Sequence, residues 1–338
     1  MNNRIIRSVC YFSKHVTSDT VEEVKALRQT FTNAGFEVQT IRICSPTNNP
    51  VEFEQSVNDK EILLSIGSIP FTAVKQQLPQ FYKTHGVSFN IDLTTTSIDI
   101  SHTTPLFDII KNKPSQTFAF TYVFNNKPSS PYFPSASYEH DGFSVGLQPT
   151  DLSQRCTTLE QWLEKMKASW MKIYDLFKDD SDFLGIDASI APIFSGKGSL
   201  INFIKRLGYS FTQSVITDIY LQITQFLKTN NPKPVGLCGL MMPCLEDFEL
   251  ADEYEQGNFS IERNLFLSLH SGLGIDTYPI GIDEKPERVV EILKLVQGLS
   301  NKYHKPLSAR FVSDVKAKIG EKTDFQNQYL KDVVVKPI

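Results

Sequence analysis

Residues 4–44 read RIIRSVCYFSKHVTSDTVEEVKALRQTFTNAGFEVQTIRIC, and they decide the class of fold. Arg4 to Phe12 is rich in β-formers. Val21, Val24, Leu27 and Phe31 then recur at helical spacing, and the helix stops at Gly35, where glycine accepts a left-handed C-cap without steric cost. Phe36 to Cys44 returns as a strand. Strand, helix and strand in this order is the βαβ rhythm of a largely parallel sheet.

Working outward, Ile62 to Ile66, Val87 to Leu93 and Phe118 to Phe124 have strand length and β-branched or aromatic content. Further strands are expected near Phe183 to Asp187, Val235 to Cys238, Ile275 to Pro279 and Leu307 to Val312. Between them, helices are signalled at Leu200 to Leu207, Ser214 to Leu227, Leu245 to Gln256, Ile261 to Leu269 and Val289 to Tyr303. Thr157 and Glu160 suggest a capping box ahead of a helix whose Leu159, Trp162, Leu163, Met166, Trp170, Ile173 and Phe177 share one core-facing side. The stretch NNKPSSPYFPSASYEHDGFSVGLQPTD, residues 125–151, is rich in Pro, Ser and Gly and reads as a long ordered excursion. Its aromatic residues, Tyr132, Phe133, Tyr138 and Phe143, suit either a packed or a functional loop. The expectation is a single α/β domain over 1–338 with this one excursion.

Composition limits the function classes. Of 338 residues, 41% are apolar and 21% charged, with 24 Phe and 12 Tyr, which is ample for a folded core and excludes a disordered chain. The net charge of −4, with Lys and Arg scattered rather than striped, argues against a nucleic-acid partner. No run of about 18 apolar residues is present, and the opening MNNRIIRSVCYFSK is too short in apolar residues for a signal peptide, so no membrane partner and a cytoplasmic location are expected. Cys10, Cys44, Cys156, Cys238 and Cys244 are odd in number and form no CxxC pair, which points to reduced thiols rather than disulfides or structural zinc.

In parallel α/β sheets, ligands meet loops at the carboxyl ends of strands. That rule selects Asp187 and Ser189 in GIDASIAP, Cys238 to Asp247 in CGLMMPCLED, Asp276 and Thr277 in GLGIDTYP and Arg310 in KPLSARFV. Glu246 and Asp247 are adjacent, so on a helix they point about 100° apart and only one can face a given pocket. Paired acid/base work would then take Asp187 or Asp276 as the second member. Converging carboxylates without His or Cys would equally suit Mg²⁺ or Mn²⁺; caps and salt bridges are the bland alternative. Arg310 is either a bidentate holder of an anion or the ion-pair partner of one of these acids. Cys238, between Gly236 and Gly239, lies where a ligand could approach closely. Ser199 is expected to cap a helix, although the glycines before it could bind an anion. His140 could titrate in its loop, and Lys318 could reach inward from a pocket-closing loop.

The stretches GFEVQTIRICSP (35–46), YFPSAS (132–137), GIDASIAP (185–192), GLCGLMMPCLED (236–247), GLGIDTYPI (272–280) and KPLSARFVSDVKAKIGEKTDF (305–325) together resemble the family known as domain of unknown function 711. That resemblance implies a ten-stranded α/β barrel of the pyruvate formate-lyase and anaerobic ribonucleotide reductase type. It does not imply glycyl-radical chemistry, because the ending KDVVVKPI lacks an RVxGY-type segment. Where the family tends to read PxPGKKxGD after the arginine, this chain reads SDVKAKIGE from Ser313, keeping Lys318 and Gly320. The expectation is an enzyme acting on a small anionic ligand, with Asp187, Glu246, Asp247 and Asp276 in acid/base or metal-ligating roles. Arg310, Lys318, Cys238, Ser189 and His140 would then contact the ligand. A non-catalytic small-molecule binding protein, a homodimer among its arrangements, or a scaffold using the aromatic loop are the alternatives.

Overall fold

A computed structural model describes residues 4–338; the first three residues of the opening stretch lie outside it. Ten strands form one sheet: β1 (Arg4–Phe12), β2 (Phe36–Val38), β3 (Ile41–Cys44), β4 (Ile62–Ile69), β5 (Ser88–Asp92), β6 (Phe120–Phe124), β7 (Gly142–Leu147), β8 (Phe183–Asp187), β9 (Gly274–Pro279) and β10 (Leu307–Val312). Their order is β8-β7-β1-β3-β4-β5-β6-β10-β9, with β2 paired to the start of β1.

Two junctions divide this sheet. β1 meets β7 antiparallel and β6 meets β10 antiparallel, whereas all other pairings are parallel. A first block, β1 to β6, therefore runs opposite to a second, β7 to β10. The path ends at β8 and β9, which share no ladder. The chain from Pro234 to Asp247 lies between them, with bridges Ile186–Pro234 and Ile190–Leu240 on one side and Leu240–Gly272 and Pro243–Asp276 on the other.

Alternation along the strands sorts the two faces. The ladder registers place Ile41, Ile43, Ile62, Leu64, Phe89, Phe120 and Val145 on one face, all buried in the main apolar core. The opposite face carries Ser8, Arg42, Ser65, Ser88, Asn90, Ser144, Asp276 and Arg310, which are small or polar. Such a face leaves room, and the excursion fills part of it. Asn90 donates from Nδ2 to the carbonyls of Pro134 and Ala136 at 2.9 Å each, and Ser8 donates to that of Pro131 at 2.8 Å. Tyr132 donates its hydroxyl to the carbonyls of Leu147 and Ser189, at 3.0 and 3.2 Å. Gly146 is the required neighbour, since an added Cβ would sit 2.5 Å from the Tyr132 oxygen.

Several sequence expectations need correction. The excursion contains a strand, β7, in GFSVGL. Phe36 to Cys44 divides into β2 and β3. Val235 to Cys238 forms no strand, and the isolated bridges fall on the flanking Pro234 and Leu240, because Gly236 and Cys238 both take positive φ, 69° and 45°, and interrupt an extended run. Ser214 to Leu227 is broken into helices at Phe211–Ser214 and Ile219–Asn230. The helix Leu159–Phe177 is capped by Thr158, whose side chain accepts from the Gln161 amide, and not by Thr157. Ser199 caps its helix as expected, accepting from Asn202. All five cysteines are free and buried. Among the described residues no helix is long and apolar enough to cross a membrane.

Candidate functional site

A cavity of about 460 Å³ lies against the small, polar face of the sheet. Both blocks line it from the first to middle residues of their strands: Arg7, Arg42, Leu63 and Ser88 in the first block, and Gly274, Asp276, Ser308 and Arg310 in the second, with Glu246 added from the linking segment. Tyr132 and Phe133 of the excursion also line it.

Arg310 organises the second-block wall. Its Nε donates to Asp276 Oδ1 at 2.7 Å, an Nη donates to Glu246 Oε1, and the other Nη donates to the Phe118 carbonyl at 3.2 Å. The guanidinium lies 5.1 Å from the Phe118 ring centroid. Burial pulls its pKa down, but Asp276 and Glu246 outweigh that and hold it above its ordinary value. Burial likewise pushes the Glu246 carboxyl up, and Arg310 opposes that rise without cancelling it. Asp276 is turned by a bulge between β9 and β10, where fully buried Thr277 adopts φ 40°, a strained backbone for a β-branched residue.

The first-block wall is cationic and underpaired. Arg42 is 6% exposed, and its Nε donates to Thr40 Oγ1 at 3.1 Å. Among the described residues no carboxylate lies within ion-pair distance of it. Burial first, and Arg7 second, lower its pKa to about 10, which leaves it charged at neutral pH. Phe133 backs it at 5.0 Å. Arg7 stands at the irregularity in β1 between Ile6 and Ser8, donates to Gln39 Oε1 at 3.3 Å, and approaches Glu246 Oε2 only to 3.8 Å. Setting His85 aside, Arg7, Arg42, Lys113 and Arg310 face Glu61, Glu246 and Asp276: four cations against three carboxylates, an excess of one positive charge.

The structure thus brings Glu246, Asp276 and Arg310 together and places the other selected residues elsewhere. Asp187 is fully buried outside the cavity lining, with both oxygens occupied: Oδ1 accepts from the Ser189 amide and hydroxyl and the Cys238 amide, Oδ2 from Ser130 Oγ and the Leu237 amide. Asp187 and Ser189 fasten the Gly236–Gly239 turn to β8, since Ser189 Oγ also accepts from Gly239. Cys238 is buried beside Asp187, and burial, with that carboxylate, pushes its thiol up to about 12, unsuited to a nucleophile at neutral pH. Asp247 caps the helix Phe248–Glu255, accepting from Glu249 and Leu250, and also from Leu200 at 3.0 Å; burial raises its carboxyl to about 7. Lys318 is exposed and its amide donates to Glu321. His140 is exposed, 3.9 Å from Glu139. Arg7 and Arg42 are the residues that the carboxyl-end rule could not select.

The fold and this site define an α/β protein whose mostly parallel sheet carries a charged cavity with paired carboxylates on one wall and spare guanidinium on the other. A family model described as Uncharacterised ACR (DUF711) matches residues 72–327, and the chain belongs to that family. No curated protein matches the chain.

Proposed function

We propose that this protein is an enzyme acting on a small anionic metabolite, and that the cavity is its active site. The observation that carries this is Arg42, a buried guanidinium facing the cavity with, among the described residues, no carboxylate within ion-pair distance, Glu246 acting on it only across the cavity. Burying a charge without a partner is costly, so such a group is best explained by an anion that arrives as ligand. Arg7 and Arg42 would hold that anion. Glu246, raised by burial, and Asp276 each keep one oxygen not bonded to Arg310, and they would exchange a proton with the bound molecule. Among the described residues no group of three or more His, Cys, Asp or Glu side chains is arranged to hold a metal ion.

The same reading extends to the architecture and the location. The bridges from Pro234–Asp247 to both ends of the sheet support a closed α/β barrel of the pyruvate formate-lyase type, with the excursion inside it. Five free buried thiols support a reducing, cytoplasmic setting.

One feature favours a non-catalytic binding protein: Arg310 engages both carboxylates, as a structural ion pair would. Incubating the protein with a panel of carboxylated and phosphorylated metabolites, followed by mass spectrometry, separates the two. The enzyme reading expects one panel member to be consumed, and Glu246→Gln to slow that by about 100-fold or more while still binding it. Binding without consumption, or an unchanged rate in the variant, would contradict acid/base catalysis by Glu246.

A further inference from the structure

The cavity also constrains what the anion is attached to. In the β3–β4 ladder Arg42 is the register partner of Leu63, so their side chains are neighbours on one face. Leu63 is 44% exposed and lines the cavity, beside Glu61 and His85. Phe118, Phe133, Leu237, Met241 and Leu273 line the same space.

The other charged groups of the lining are already engaged. Lys113 Nζ donates to the carbonyls of Tyr82 and Thr84, Glu61 accepts from Arg28, His85 pairs with Glu54, and Arg310 holds its two carboxylates. That leaves one cationic spot with guanidinium N–H groups still free, formed by Arg42 with Arg7, bordered by uncovered apolar surface. A compact polyanion or a sugar phosphate would set oxygens and hydroxyls against Leu63 and leave that apolar surface uncovered.

Resting on the anion-site reading above, we infer that the ligand is amphipathic. It carries a single carboxylate or phosphate seated on Arg42 and Arg7, and an apolar body, aliphatic or aromatic, that begins next to that group and covers Leu63. Apolar contact supplies the affinity and the guanidinium fixes the orientation, which is the usual division of labour in small-molecule pockets.

Calorimetric titration with 3-phenylpropanoate, phenyl phosphate, 3-phenylpropanamide, acetate and inorganic phosphate tests this on wild type, Arg42→Gln and Leu63→Ser. The expected order is a phenyl-bodied anion at least about tenfold tighter than acetate or inorganic phosphate, with the neutral amide weaker by a similar factor. Comparing the propanoate with the phenyl phosphate shows which head group the site takes. Leu63→Ser should weaken the phenyl-bodied anions by about three- to tenfold and leave acetate and inorganic phosphate unchanged. Arg42→Gln should weaken every anion. Equal affinity with and without the apolar body, or a silent Leu63→Ser, overturns the amphipathic class and leaves the anion site standing. Absence of binding by all the anions, or no effect of Arg42→Gln, overturns both readings. Leu63 is partly exposed, so its substitution does not threaten the fold.

Discussion

The two strand blocks handle charge in opposite ways. In the second block and its linking segment Glu246 and Asp276 each give one oxygen to Arg310, and Asp187 and Asp247 give both of theirs to amides and hydroxyls. In the first block Arg42 is buried with a single side-chain hydrogen bond and, among the described residues, no carboxylate within ion-pair distance. Asp187 and Asp247, saturated on both oxygens by amides and hydroxyls, hold the fold together, whereas Arg42 and the second oxygens of Glu246 and Asp276 are left for a ligand.

The largest expected effect lies on the saturated side. Arg310→Ala would leave two buried carboxylates without their cation and should cost about 3–5 kcal/mol in urea denaturation. A loss below about 1 kcal/mol would place Arg310 with the ligand-facing cations instead.

Asp247 gives the next effect, through pH. Its folded pKa of about 7 stands above the ordinary 3.8, so the folded state keeps a proton that the unfolded chain releases. Its contribution is fully present below about pH 3.8 and is lost as pH rises towards 7, by at most about 1.4 kcal/mol per pH unit. Denaturation at several pH values should show a shallower decline across that window for Asp247→Asn than for wild type; parallel profiles would show that the group does not titrate there.

Gly146→Ala sharpens the comparison at the junction between the blocks. The new methyl would push Tyr132 off the Leu147 and Ser189 carbonyls, with an expected loss of about 1–3 kcal/mol. An unchanged melting curve would mean that the excursion is not held by that contact.

What the sequence disclosed, and what it hid, follows the same division. Glu246 and Asp247 were expected to diverge as neighbours on a helix over Leu245 to Gln256; they do diverge, one to the cavity and the other to a cap, but from the turn ahead of a helix that begins only at Phe248. Asp276 and Arg310 stood in legible strands. Arg7 and Arg42 were invisible to a rule that looks at carboxyl ends, because the cavity lies against a face of the sheet, where residues from the first and middle parts of the strands project. β7 was hidden because its cavity face is Gly142, Ser144 and Gly146, residues that ordinarily punctuate loops, although Phe143, Val145 and Leu147 alternate with them. The bonds from Ser130 and Cys238 to Asp187 join positions far apart in the chain, and no local pattern announces them.

The smallest expected stability effect is the most informative. Arg42→Met removes an underpaired buried charge and keeps the side chain's length, so the ligand-free protein should change by no more than about 1 kcal/mol, with stabilisation the favoured sign. Melting temperatures of wild type and Arg42→Met, with and without saturating small carboxylates and phosphates, test the central claim directly. The account predicts nearly equal temperatures without ligand, a rise for wild type with at least one anion, and no rise for the variant. A variant that rises as much as wild type, or that is severely unstable on its own, would contradict it.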